Sequence, residues 1–174
     1  MTDFLQLCYD RVSVRRYREQ AIPREMLEKI LEAALLAPSS FGGHPVQFWI
    51  VQDKDLLNRL ADCKAIGAPS IRNGSAAIVV AVDSQETELW IEDGAVASTH
   101  ILLAAQEYGI GACWNQVRAR AGKYKSTSQE IKDLLQIPSR FEVVSMISLG
   151  IPIRHEKRAK KVDWHLTHWA HEKQ

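Results

Sequence analysis

Two compact apolar runs, Val46–Val51 and Ala76–Val82, limit the fold more than any other feature of the chain, because each has the length of a strand and each lies among segments of helical period. A chain so patterned must combine a sheet with helices. Thr2 or Asp3 is expected to cap a short first helix that carries Phe4, Leu5 and Cys8 on one side. Pro23 opens a stronger helix, with Met26, Leu27, Ile30, Leu31, Ala34 and Leu35 in register, and Pro38 ends it because its ring nitrogen cannot donate. Ser39 to Pro45 reads as a loop, and Asp53 as the cap of a helix bearing Leu56, Leu57 and Leu60. Ile66 to Ser75, with Gly67, Pro69, Asn73 and Gly74, reads as a loop or lid. A long central helix is expected from about Glu88 to Tyr108, with Gly109 as its terminator. Ile110–Trp114 then reads as a short strand, Thr127-Ser128-Gln129-Glu130 has capping-box spacing, and Phe141–Leu149 makes the last strand. Beyond Gly150-Ile151-Pro152 the polar, basic tail is too short for a second core. Trp164 and Trp169 within it need a surface, on the same subunit or on a partner.

At 174 residues and 46% hydrophobic content the chain predicts one domain over 1–174, with the basic tail starting at about 153. A formal charge of +1 exerts no bulk pull toward nucleic acid or membrane. Cys8, Cys63 and Cys113 are odd in number, widely spaced and free of any Cys-x-x-Cys pair, which points to reduced thiols and a cytoplasmic location. No basic region precedes an apolar core at the N-terminus, and Glu92, Asp93 and His100 interrupt the longest apolar helix. Neither secretion nor membrane spanning is expected.

The chemistry is concentrated in Arg11-Val12-Ser13-Val14-Arg15. In extended backbone, alternate residues share a side, so two guanidinium forks and a hydroxyl converge on one anionic ligand, and a phosphorylated heterocycle suits them better than a bare ion. Alone, the run reads more readily as a solvated basic turn than as a ligand site. A nucleic-acid site is disfavoured because only Tyr17 interleaves with the basic residues. Ser39 and Ser40 lack a Gly-x-Ser-x-Gly elbow, and Cys113, set among apolar neighbours, reads as a small core residue with no catalytic role. His165, His168 and His171 lack the further ligands of a metal site, so no metal is expected. Glu92 and Asp93 diverge by about 100 degrees on a helix, so one of them faces solvent. Gly109-Ile110-Gly111 lacks the third glycine of a dinucleotide fingerprint.

Arg11-x-Ser13-x-Arg15 after a first helix, Ala37-Pro38-Ser39 at a helix end, Gly109-Ile110-Gly111-Ala112-Cys113-Trp114, and Leu149-Gly150-Ile151-Pro152 before a basic tail occur in the order found in the FMN-dependent nitroreductase family, which the chain resembles over nearly its whole length. The resemblance implies an α+β, three-layer fold in which a central mixed β-sheet is flanked by helices, and a homodimer with FMN at the interface. It implies that Arg11 and Ser13 hold the phosphate and ribityl chain, and that Arg15 approaches the pyrimidine side, where a cation favours reduced flavin. Pro38, Ser39 and Ser40 would come from the other subunit, and Trp114, Asn115 and Gln116 would lie near the N5 and O4 edge. Lys160, or alternatively Arg158, would contact the phosphate. Gly42 and His44 stand where the family often has Asn and Gln, so His44 would replace an amide donor with a group able to change charge. The implied activity is hydride transfer from NADH or NADPH through flavin N5 to a nitroaromatic, quinone or related small acceptor by a ping-pong mechanism. The alternative is a flavin-binding sensor or a specialised metabolite reductase.

Overall fold

The computed structural model describes residues 3–154 and 159–170. Its sheet has four strands, β1 (Val46–Val51), β2 (Ala76–Asp83), β3 (Gly111–Gln116) and β4 (Phe141–Gly150), in the order β1-β2-β4-β3 with every neighbouring pair antiparallel. The parallel component of the expected mixed sheet is a single bridge, Ser13 beside Ala112, which lays the arginine segment along the outer edge of β3.

The central strand β2 is buried along its whole length, and its alternation divides the core in two. Ala77, Val79 and Ala81 face one side, where they pack with Leu57, Leu60, Ile71 and Ile131. These come from α3 (Lys54–Asp62), α4 (Pro69–Asn73) and α6 (Thr127–Leu135). Ile78 and Val80 face the other side and meet Leu27, Ile30, Ile101 and Ala105 of α2 (Arg24–Leu35) and α5 (Trp90–Glu107). Helices on both faces of one sheet give the three expected layers. At Gly94 the helix α5 lies so close to the sheet that a Cβ would stand 2.5 Å from Val144 Cγ2.

Several local expectations hold. Asp3 caps α1 (Phe4–Asp10), Asp53 accepts from Leu56 N–H at 2.8 Å at the start of α3, and Gly109 ends the long helix at φ +70°. Two differ. The segment expected as a lid is folded, because Pro69 opens a turn of helix that drives Ile71 fully into the core. The cap of α6 is Ser126, which accepts from Gln129 N–H, while Glu130 turns outward to accept from Tyr124 and Lys125 N–H. The capping-box spacing was thus one residue out of register, since Ser126-x-x-Gln129 fits the same pattern.

Candidate functional site

The arginine segment is built by the end of α1. Arg11 leaves the helix with extended backbone, φ −61° and ψ 119°, and Val14 N–H then donates to Ala112 O at 2.9 Å. Val14 and Tyr17 turn inward and are buried, whereas Arg11 and Ser13 are half-buried and Arg15 is exposed. The Tyr17 hydroxyl meets Val14 O at 2.5 Å and Ser148 Oγ at 2.9 Å, which pins the segment against β4. Burial, only partly offset by Ser148, raises the Tyr17 hydroxyl above the ordinary tyrosine range and keeps it protonated.

The basic tail closes onto the same place. Lys160 Nζ donates to Cys8 O and Arg11 O, each at 2.5 Å, where it caps the carbonyl end of α1. Desolvation first, and then the adjacent Arg11 guanidinium, lower the Lys160 ammonium below the ordinary lysine range. Arg158 lies outside the described residues. Among the described residues neither Arg11 nor Arg15 is in an ion pair with a carboxylate, and the hydrogen bond of the Arg15 side chain is a long 3.4 Å donation to Ser13 O. The Ser13 hydroxyl is equally without a partner among the described residues. Asp10 is the carboxylate whose charge reaches Lys160, yet none of the three cations is in an ion pair among the described residues, and together with the Ser13 hydroxyl they form a donor set suited to a phosphate dianion.

The end of β3 is tied from inside the chain. Asn115 Oδ1 accepts from Ser70 Oγ at 2.8 Å, Trp114 Nε1 donates to Gln116 Oε1 at 2.8 Å, and Lys64 Nζ donates to Gln116 O at 3.0 Å. Burial and then Arg120 lower the Lys64 ammonium. Lys64 was not legible in the sequence, because its tie to β3 depends on the turn that brings Ala65 N–H to Ala121 O. Cys113 is 3% exposed, as expected of a core thiol.

Pro38, Ser39, Ser40 and His44 lie elsewhere. They lead into β1, whereas the arginine segment flanks β3, and these are the two edge strands of the sheet. Because β1 and β3 run in opposite directions, their starting ends occupy diagonal corners, with about 14 Å of sheet width between the two strands. One chain does not bring the two groups together. Pro38 and His44 line a cavity of about 330 Å³ with Leu35, Val46, Phe48 and Ala97. Around it Leu35, Leu36 and Phe41 are exposed, Phe41 completely.

The loop contains a feature that sequence reasoning missed. Ser40 N–H and Oγ–H both donate to Asp93, at 2.8 and 2.6 Å, and Asp93 is 5% exposed while Glu92 faces solvent. The available signal was its position in the stripe Asp93, Ala97, Ile101, Ala105, which places a carboxylate on the buried side of α5. In the tail, Trp164 and Trp169 each remain 73% exposed, so among the described residues neither is buried on its own subunit. His165 and His168 are exposed, His171 lies outside the described residues, and no group of metal-binding side chains occurs among the described residues. Among those residues no helix is long and apolar enough to cross a membrane.

The Nitroreductase family model matches residues 9–90. A protein of Archaeoglobus fulgidus named "Putative NADH dehydrogenase/NAD(P)H nitroreductase" is 37% identical over 156 residues, covering 87% of each chain. The FMN reductase [NAD(P)H] of Bacillus subtilis is 26% identical, over 92% of this chain and 70% of that one. Among solved structures, an FMN-dependent nitroreductase from Clostridium difficile R20291 superposes with a TM-score of 0.91 at 35% identity, covering 97% of this chain and 99% of that one. Sequence identity of 37% to a curated relative and a matching fold at 35% identity both extend over most of the chain: the chain belongs to the nitroreductase family.

Proposed function

We propose that this chain is an FMN-dependent oxidoreductase that takes electrons from NADH or NADPH and reduces a nitroaromatic, a quinone or a related small acceptor. The observation that carries the reading is the cluster of Arg11, Ser13, Arg15 and Lys160 on the edge of β3, none of whose cations is held in an ion pair among the described residues. When bound, FMN supplies the ring that accepts and returns hydride, so no side-chain nucleophile is required. Arg11, Ser13 and Lys160 would hold its phosphate, and Arg15 would stand on the pyrimidine side, where a positive charge favours the reduced ring. Trp114, Asn115 and Gln116 would border the ring, with Asn115 held by Ser70, the Gln116 carbonyl by Lys64 and the Trp114 indole N–H by the Gln116 side chain.

The working unit in this reading is a homodimer with two flavin sites. Its support is the diagonal separation of Pro38–His44 from the arginine segment, together with the exposed Leu35, Leu36, Phe41, Trp164 and Trp169. Donor and acceptor would occupy one site in turn, giving ping-pong kinetics. Three free thiols suit the cytoplasm. A second reading, a flavin sensor or a reductase confined to one metabolite, is favoured by the loop itself, in which Phe41 and His44 hold φ of 52° and 50° where freely adapting residues would not. An absorbance spectrum of the purified protein, followed by anaerobic titration with each nicotinamide, tests both readings. Colourless protein that neither binds added FMN nor oxidises NAD(P)H refutes them, and bound FMN without turnover of nitro compounds or quinones selects the second.

A further inference from the structure

We propose that Asp93 is a positioning residue that holds the Pro38–His44 loop in the shape its flavin contacts require. The proposal rests on the flavin and dimer reading above. A carboxylate this deeply buried must be matched by donors, and the donors supplied are both from one residue, the backbone N–H and the hydroxyl of Ser40. Asp93 sits in the first turn of α5, where the helix dipole favours negative charge, and Gly94 beside it fixes the helix flush on Val144 of the sheet. The carboxylate is therefore a rigid point from which the loop is hung.

The loop needs such a point. Phe41, Gly42 and His44 all lie in the left-handed region at φ 52°, 68° and 50°, and two of them carry a Cβ that disfavours it. Left to itself, the segment would relax toward ordinary backbone. It is held at Ser40 by Asp93 and at His44, whose N–H donates to Ser39 Oγ at 2.9 Å. With its proton committed to Asp93, the Ser40 hydroxyl serves the loop first, and only its remaining lone pairs are open to a ligand.

The test compares apoprotein affinity for FMN, read by quenching of flavin fluorescence, and the visible circular dichroism of flavin at saturation, in wild type, Asp93→Ala, Ser40→Ala and the double variant. Asp93→Ala is expected to weaken FMN binding about tenfold and to change the bound-flavin spectrum. Ser40→Ala, which keeps its N–H on Asp93, should cost less, and the double variant no more than Asp93→Ala, because the two act through one contact. Asp93→Asn keeps the volume and one acceptor, so it should fall between wild type and Asp93→Ala, and it carries the test if the alanine variant does not fold. Wild-type affinity and spectrum in a folded Asp93 variant, or losses that simply add, overturn the proposal. If wild type itself binds no FMN, the flavin reading falls and this proposal with it, whereas intact binding in every variant removes the positioning role alone.

Discussion

The ring of Tyr17 rests against the bare Cα of Gly150, so close that a Cβ there would stand 2.5 Å from Tyr17 Cγ. Gly111 does the same for Val14, where a Cβ would come within 2.9 Å of Cγ1. Two glycines from separate sequence motifs thus make room for the inward residues of the arginine segment, and Arg11, Ser13 and Arg15 keep the outer side because Val14 and Tyr17 can sink this far.

Gly150→Ala should therefore displace Tyr17 and lift the segment. A destabilisation of about 3 kcal/mol is expected, roughly 6–12 °C in Tm, from overpacking against an aromatic ring fixed at its hydroxyl. Thermal unfolding of the apoprotein checks it. A variant that melts with wild type would mean that the ring has somewhere else to go.

Removing a cation from the cluster should separate FMN from riboflavin. Arg11→Ala or Lys160→Ala is expected to weaken FMN binding by about tenfold to a hundredfold, the worth of one charge-assisted hydrogen bond, while leaving riboflavin binding nearly unchanged. Parallel titrations with the two flavins decide. Equal losses on both would place these side chains away from the phosphate.

Alkaline pH should act through Cys63. Burial, with Glu130 and Asp62 adding to it, pushes its thiol up to about 11, whereas an unfolded thiol ionises at about 8.5. The unfolded chain loses its proton first, so stability is complete below about 8.5 and falls as pH rises toward the folded value. Between pH 8.5 and 10 the loss should be about 1–2 kcal/mol by urea denaturation, and Cys63→Ala should flatten it. Above pH 10 the buried Tyr17 hydroxyl contributes a decline of the same sign, which the Cys63 variant retains.

The tail tryptophans should report assembly. Sedimentation of wild type is expected to give twice the 19.7 kDa chain mass, and the Trp164→Ala, Trp169→Ala double variant should shift toward monomer with weaker FMN binding. An unchanged dimer would assign the exposed indoles to some other surface.

What the sequence disclosed depended on how locally each feature was determined. Val46–Val51 was read to the residue, and Ala76–Val82 to within one, because an apolar run needs no distant partner to be recognised. The Asp53 cap was equally plain, since its partner is three residues away. The Ile66–Ser75 segment was misread because glycine and proline mark turns of helix as well as loops, and only the core around Ile71 decides between them. Arg11, Ser13 and Arg15 could be named from spacing, but the approach of Lys160 to Arg11 spans 149 residues. The tie from Ser40 to Asp93 spans 53, and the complementary donors of Ser40 belong to any serine.

Placing Pro38–His44 and the arginine segment at diagonal corners makes inheritance of damage unequal in the proposed dimer. A subunit altered at Arg11 spoils the site it supports through β3, and a subunit altered at Asp93 spoils the one it supports through its loop. When the two defective chains are mixed, each heterodimer gathers both lesions into one site and leaves the other whole, so two weakened proteins should regain tight flavin binding at one site of each mixed pair.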